Sequence, residues 1–232
     1  MACPSERTLH EQLFDRQVET LLLRGYHEAL GMAEKDFRLW LDLLLIDRLE
    51  GRLLDGVGET DLNSLPLLIV IPHAMLPIAE QMKLLIVAKK RGYVSLDSEK
   101  LWNPDGIGES KFPYLICGVE DGAGNVGKVT ADAAGEISRA CRSGLVFEEG
   151  ISLAVHFPES LIHHAFALIG NHYQGGSPCG SRGSNSSPQC VPELWLGSGG
   201  PTQNYSWLNS RRDDRGVPSC ARRLTLDREP IL

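Results

Sequence analysis

The sequence predicts an α+β protein in which an N-terminal helical hairpin packs on a mixed β-sheet with additional short helices. Apolar residues recur at helical spacing near the N-terminus, and short apolar runs of strand length follow. Strand and helix patterns do not alternate regularly enough for a doubly wound sheet. We expect one domain over residues 1–232, with a helical part at 1–55, an α+β core at 65–208 and a charged, solvated tail at 209–232.

The N-terminal part is predicted to form two helices joined as a hairpin. Thr8 followed by Glu11 is a capping-box pattern, and Gly25 is a typical helix stop. The apolar positions of the first helix are Leu9, Leu13, Val18, Leu21 and Leu22, and those of the second are Phe37, Trp40, Leu41, Leu44 and Leu45. We expect both apolar faces to pack on the rest of the fold.

The next elements are strands separated by polar segments. Residues 51–64 are predicted to be a polar linker, and residues 67–71, closed by Pro72, are predicted to form a buried strand. Residues 84–88 suit either a strand or the end of a helix. Another strand is expected at residues 114–119.

A helix is predicted to begin at Thr130, with Ala134, Ile137 and Cys141 on one face, and to end at Gly144. Its spacing makes it amphipathic, so we expect that face to be buried.

The C-terminal half contains further short elements. Residues 148–156 are predicted to be helical, and Pro158 suits the first turn of another helix. Strands are expected at residues 166–169 and 194–196. Residues 174–189 are rich in Gly and Ser, which is typical of a flexible surface loop.

The composition excludes some classes of function. The chain has 42% hydrophobic residues, 23% charged residues and a formal net charge of -7. Such an acidic total argues against nucleic-acid binding, which needs clustered Lys and Arg. The longest apolar run, residues 65–71, is far shorter than the roughly 20 residues of a membrane span.

Cysteine usage and the N-terminus indicate the cytoplasm. The first residues contain no apolar core of a signal peptide, so we expect the six cysteines to be reduced thiols. Cys117 and Cys141 stand in apolar patterns, and we expect both to be buried.

The segment Gly122 to Thr130 matches the G-x-G-x-x-G pattern and nearly matches the P-loop. Glu148 stands where an acid that binds ribose would lie. However, a P-loop needs Ser or Thr directly after the lysine, and Val129 is there instead. Gly, Asn and Asp are also the residues of tight hairpin turns. We therefore predict a hairpin turn and keep nucleotide binding at Gly122 to Thr130 as an alternative.

A weak pattern of soft ligands suggests a metal site. His172, Cys179, Cys190 and Cys220 supply the imidazole and thiolate groups that zinc prefers. Their spacing matches no C-x-x-C motif. A zinc site therefore remains a hypothesis that depends on these four residues converging.

A set of motifs extends almost from end to end of the chain. Its members are Phe14–Val18, Leu23–Tyr26, Gly31–Phe37, Pro113–Leu115, Val119–Gly122, Val129–Thr130, Phe147–Leu153, His156–Glu159, Phe166, Gly170, Val191–Trp195, Pro218–Cys220 and Arg223. The set resembles a bacterial family catalogued as domain of unknown function 5701. The resemblance implies no reaction, substrate or cofactor.

The chain also departs from that family. Similar proteins have a compact turn where residues 174–189 are inserted here. They carry a tryptophan segment with Cys and His where this chain has Tyr205 to Asn209. In similar proteins the turn that matches the glycine segment is polar, which favours the hairpin.

Three functions are compatible with these patterns, and the sequence favours the first because it contains no recognisable catalytic constellation. The first is a non-enzymatic binding or scaffolding protein that contacts a protein partner through Trp195 and Trp207. The second is an enzyme that uses His156, Glu159 or Cys220 and brings at least two of them together. The third is nucleotide binding at the glycine segment. The sequence identifies no cofactor.

Overall fold

A computed structural model describes residues 9–49, 64–95, 97, 100–102, 110–173 and 190–224. Within these residues the chain is an α+β fold in which helices precede two main sheets. The predicted linker at 51–64, except Ser64, and the predicted loop at 174–189 lie outside the described residues.

The N-terminal helices are α1 (Leu9–Leu23), α2 (Tyr26–Ala29) and α3 (Glu34–Leu49). Gly25 separates the first two with φ of 81°, a left-handed conformation that glycine adopts without strain. The predicted hairpin of two long helices is confirmed, with the short α2 in its connection.

The first sheet is antiparallel and contains β1 (Leu65–Val70), β5 (Tyr114–Val119) and β13 (Arg222–Leu224) in the order β1-β5-β13. The side chain of Gln17 in α1 forms hydrogen bonds with the main chain of β1, as a neighbouring strand would. Its Nε2 donates to the carbonyl of Leu67 at 3.0 Å, and its Oε1 accepts from the amide of Ile69 at 2.8 Å. These two bonds join the N-terminal helix to the sheet.

The second sheet is mixed, as predicted, because one of its strand pairs is parallel. It contains β7 (Ala165–Ala167), β9 (Cys190–Gly197), β10 (Gly200–Trp207) and β11 (Arg215–Gly216) in the order β10-β9-β7-β11, with β11 parallel to β7. The sequence predicted β7 and β9 but not β10, whose Gly, Pro, Gln and Asn residues are poor strand formers.

The remaining strands form two-residue pairs. These pairs are β2 (Ile86–Val87) with β3 (Lys90–Arg91), β4 (Leu101–Trp102) with β8 (His172–Tyr173), and β6 (Ser143–Gly144) with β12 (Ser219–Cys220). Helix α4 (Ile78–Leu84) ends just before β2, so residues 84–88 contain both of the predicted alternatives.

The other helices are α5 (Thr130–Arg139), α6 (Phe147–His156) and α7 (Pro158–His163). Helix α6 is the centre of the fold, because every residue from its first to its ninth position is buried. It contacts β1 and β9 and therefore lies between the two main sheets. A Cβ atom at Gly150 would lie 2.6 Å from a methyl carbon of Leu168, so glycine allows this close packing.

The predicted hairpin at the glycine segment is wrong. Strand β5 pairs with β1 and β13, and the chain continues through a 3₁₀ turn (Ala123–Asn125) into α5. Gly122 has φ of 93°, and a Cβ atom there would lie 2.7 Å from the amide nitrogen of Val217. The glycine is therefore required for close approach to the C-terminal chain and does not form a turn between paired strands.

The predicted solvated tail is also wrong for residues 209–224, which form β11, β12 and β13. One of its charges is buried in an ion pair, since Arg215 is only 2% exposed and donates to Glu193 at 2.5 Å, whereas Arg211 and Arg222 are exposed. In the sequence, such paired charges are indistinguishable from solvated ones. Cys117 is buried as predicted, whereas Cys141 is exposed because α5 ends before it.

Candidate active site

Two carboxylates lie at the N-terminal end of the central helix α6. Glu148 is 3% exposed and Glu149 is 0% exposed. Because α6 is enclosed on all sides, neither side chain can extend to solvent. A helix N-terminus favours negative charge, but carboxylates this deeply buried also require direct partners.

Arg223 is the partner of Glu149. Its Nε donates to Oε1 at 2.7 Å and its Nη2 donates to Oε2 at 2.7 Å, which makes the pair bidentate. The amide of Val146 also donates to Oε2 of Glu149, at 2.9 Å. Burial alone would lower the pKa of Arg223, but the adjacent carboxylate of Glu149 raises it above its ordinary value. This ion pair connects β13 to the central helix.

His73 is the partner of Glu148. It lies in the turn after β1, and its side chain is 52% exposed. Its ring Nδ1 is 2.5 Å from Oε2 of Glu148, and its backbone amide donates to the same oxygen at 2.9 Å. A surface imidazole is therefore joined to a carboxylate in the interior.

Tyr114 links the two carboxylates. Its hydroxyl lies 3.1 Å from Oε1 of Glu148 and 3.2 Å from Oε1 of Glu149. Burial, and then the charges of Glu149 and Glu148, raise the pKa of Tyr114 well above its ordinary value. The hydroxyl therefore stays protonated, and its single proton cannot be donated fully to both carboxylates at once.

The network contains two acidic and two basic side chains. Arg223 pairs with Glu149, and His73 lies against Glu148. The hydroxyl of Tyr114 joins the two pairs. The network therefore extends from the half-exposed ring of His73 to the interior of the fold.

The structure does not bring together the residues of the predicted enzyme site, which are His156, Glu159 and Cys220. Cys220 lies near Glu149 and Arg223, and burial followed by the charge of Glu149 raises its pKa to about 12, so it is a poor nucleophile. His156 is at the opposite end of α6, about 10 Å along the helix at 1.5 Å per residue. Glu159 is exposed on α7.

Both ring nitrogens of His156 are buried without a hydrogen bond, although the residue as a whole is of intermediate exposure. The backbone of Ile69 lies near enough to favour the protonated ring slightly, but burial dominates and lowers the pKa of His156 to about 3. The ring is therefore neutral at physiological pH.

Three of the four predicted metal ligands, His172, Cys190 and Cys220, lie within the described residues and do not form a metal-binding group there. Cys190 is disulfide-bonded, contrary to the expectation of reduced thiols. Cys220 is buried and His172 lies in β8, while Cys179 is outside the described residues. Among the residues with a described placement, no three His, Cys, Asp or Glu side chains are grouped to hold a metal ion.

Trp195 and Trp207 lie on opposite faces of the second sheet. Trp195 pairs with Thr202, and Trp207 pairs with Cys190. Successive residues of a strand point to opposite faces, and positions 190 and 195 of β9 are an odd number of residues apart. The two tryptophans cannot form one contact surface as the sequence suggested.

The amides that a nucleotide phosphate would require are used within the chain. At the start of α5, the amide of Thr130 donates to Ser210 O at 3.3 Å and that of Ala131 donates to Leu208 O at 2.9 Å. The amide of Gly127 donates to Arg215 O at 3.3 Å, and Lys128 pairs with Glu136 at 2.6 Å. This arrangement argues against a phosphate cradle at Gly122 to Thr130.

A cleft of about 640 Å³ lies between the 3₁₀ turn and α5. Its apolar side contains Ala133 and Ile137, and its rim contains Glu120, Asp121 and Glu136. Two of these acids are paired, Glu120 with Arg142 and Glu136 with Lys128. The cleft is accessible to a ligand but has little unpaired charge.

Sequence reasoning missed the roles of His73, Tyr114 and Arg223. One available signal was the segment 147–156, in which the polar side chains are its two acids, Ser152 and the terminal His156. A helix of this kind is buried, so Glu148 and Glu149 had to find partners. Nothing local identified those partners, which lie more than 30 residues away in the chain.

The fold and this network define an α+β protein with a buried carboxylate pair connected to a surface histidine. A family model described as "Family of unknown function (DUF5701)" matches residues 20–226, and the chain belongs to that family. A search of curated proteins found no match, and a search of solved structures found none. None of the described helices is long and apolar enough to cross a membrane.

Proposed function

We propose that His73 and Glu148 form an acid–base centre, and that the protein is an enzyme that transfers a proton to or from a small molecule. The observation that carries this proposal is the 2.5 Å contact between a half-exposed imidazole and a buried carboxylate. A carboxylate on Nδ1 orients the ring and stabilises its protonated form, as required of a general acid or base. Tyr114 supports this role by holding Glu148 from the interior.

The hydrolysis of 4-nitrophenyl acetate tests the centre, because this small ester reacts with any activated imidazole. We expect the purified protein to hydrolyse it faster than an equal concentration of free imidazole. His73→Gln and Glu148→Gln should each lower the rate by about a hundredfold, within the usual contribution of acid–base catalysis. His163→Gln is the matched control, because His163 is an exposed histidine on α7 outside the network. If His73→Gln hydrolyses the ester as fast as the unmodified protein, the proposal is wrong.

The second proposed function is the binding or scaffolding role, and the cleft beside α5 supports it. Its volume of about 640 Å³ suits a small ligand or a side chain of a protein partner. Ligand-observed NMR with a fragment library tests this function. Hits that Ile137→Lys abolishes would support it, and a screen without such hits would contradict it.

We propose the cytoplasm of a bacterial cell as the location. Three of the four described cysteines, Cys117, Cys141 and Cys220, are free thiols, which supports a reducing compartment. The disulfide of Cys190 argues for an oxidising one. Cell fractionation with thiol labelling in the intact cell decides between them, since a cytoplasmic protein should be recovered with Cys190 reduced.

A further inference from the structure

The turn that carries His73 is held by a buried glutamine. Gln81 belongs to α4, the helix that follows this turn, and is 0% exposed. Its Nε2 donates to the carbonyl of Ile71 at 3.1 Å and to the carbonyl of Leu76 at 2.7 Å. A single amide group therefore joins the two ends of the turn.

The other side of the turn is held by Glu148, whose Oε2 accepts from the amide of His73 at 2.9 Å. Inside the turn, the amides of Met75 and Leu76 donate to Pro72 O at 3.0 and 3.1 Å. With the backbone fixed from both sides, the imidazole of His73 reaches Glu148 without further ordering. Such preorganisation is what an acid–base pair requires.

The hydrogen bonds of the Gln81 side chain are the ones that hold the turn. Its Oε1 is buried and has no hydrogen-bond partner, so both bonds are donated by Nε2, to the carbonyls of Ile71 and Leu76. An unbranched apolar side chain of similar length would leave both carbonyls without this donor, and the connection between the ends of the turn would be lost.

We propose that Gln81 is the positioning residue of the His73 centre: its amide fixes the turn from Ile71 to Leu76 so that the imidazole meets Glu148. This inference rests on the proposed acid–base function. Gln81 itself does not touch the reacting atoms.

The test compares Gln81→Met with Gln17→Met. Both glutamines are fully buried, and each makes two bonds to the main chain on or beside β1, but Gln17 holds the middle of the strand and not the turn. Two readouts are measured: the rate of 4-nitrophenyl acetate hydrolysis and the ¹⁵N chemical shift of His73 Nδ1 at pH 7. The shift reports the contact with Glu148 whether or not the centre is catalytic.

We expect Gln81→Met to lower the rate at least tenfold and to move the Nδ1 shift in the direction that Glu148→Gln moves it. Gln17→Met should keep both readouts near those of the unmodified protein. If Gln81→Met keeps the rate within twofold and the shift unchanged, the positioning role is overturned while the proposed function stands. If His73→Gln and Glu148→Gln keep the rate, the proposed function fails, and the shift still decides whether Gln81 positions His73.

Two further measurements cover the case in which Gln81→Met does not fold. Gln81→Leu is a second apolar variant to which the same expectations apply. In the unmodified protein, a scalar coupling across the hydrogen bond between Gln81 Nε2 and the Leu76 carbonyl should be observable by NMR. Absence of that coupling would overturn the inference without any substitution.

Discussion

Replacing Arg223 with methionine should lower the free energy of unfolding, because Arg223 is the partner of the buried Glu149. The change deletes two bonds of 2.7 Å to Glu149, which is left at 0% exposure with only the amide of Val146 and the hydroxyl of Tyr114. Hydrogen bonds to charged groups contribute about 1.5–3 kcal/mol each, and breaking one side of a buried ion pair costs about 3–5 kcal/mol. Both estimates give a decrease of about 4 kcal/mol in the free energy of unfolding.

Urea denaturation followed by circular dichroism measures this loss as a change in the free energy of unfolding. Arg222→Met is the matched control, because Arg222 is an exposed neighbour on the same strand, and it should change the free energy by less than about 0.5 kcal/mol. The double variant Glu149→Met with Arg223→Met should be about 2 kcal/mol more stable than Arg223→Met alone, since no buried charge is then left without its partner.

The reasoning is refuted if Arg223→Met costs no more than Arg222→Met. The bidentate contact between Arg223 and Glu149 would then contribute nothing to the free energy of unfolding, and its role in stabilising the start of α6 would have to be abandoned.

Three other perturbations give distinct results. His156 has a pKa of about 3 when folded, below its ordinary value of 6.5, so the unfolded chain takes up the proton first and stability falls as pH drops below 6.5. From pH 7 to pH 4 the unmodified protein should therefore lose about 3 kcal/mol more than His156→Phe in urea titrations, and equal losses would contradict this. In the folded protein, the thiol reagent DTNB should modify exposed Cys141 quickly and buried Cys220, with its pKa of about 12, only on unfolding. Gly150→Ala should lower the free energy of unfolding by about 1–3 kcal/mol, because its Cβ would lie 2.6 Å from Leu168, and a thermal melt with an unchanged midpoint would exclude that overlap.

Individual elements of this fold could be predicted because their signals are local. The apolar spacing of α1 and α3, the strand at residues 114–119 and the proline at the start of α7 each depend on neighbours within a few residues. The helical hairpin, the mixed sheet and the α+β class followed from these elements. The pairing of the strands could not be predicted in this way, because it depends on residues far apart in the chain.

The errors have a common physical cause, which is long-range compensation. Arg215 was predicted to be solvated but is buried against Glu193, and Gly122 was assigned to a hairpin although it accommodates the backbone of Val217. The candidate site was missed for the same reason, since His73 and Glu148 are 75 residues apart. A pattern read along the chain cannot show that two distant charges cancel.

The pairing of Glu149 with Arg223 has a consequence for biosynthesis, because the two residues are 74 positions apart. A ribosome makes helix α6 well before it makes β13, and until then the nascent chain lacks the arginine that pairs with that carboxylate. The described helices and strands up to β8 can form during translation, but the ion pair of Glu149 and Arg223 cannot. We therefore expect the final assembly step around helix α6 to wait until Arg223 has emerged from the ribosome.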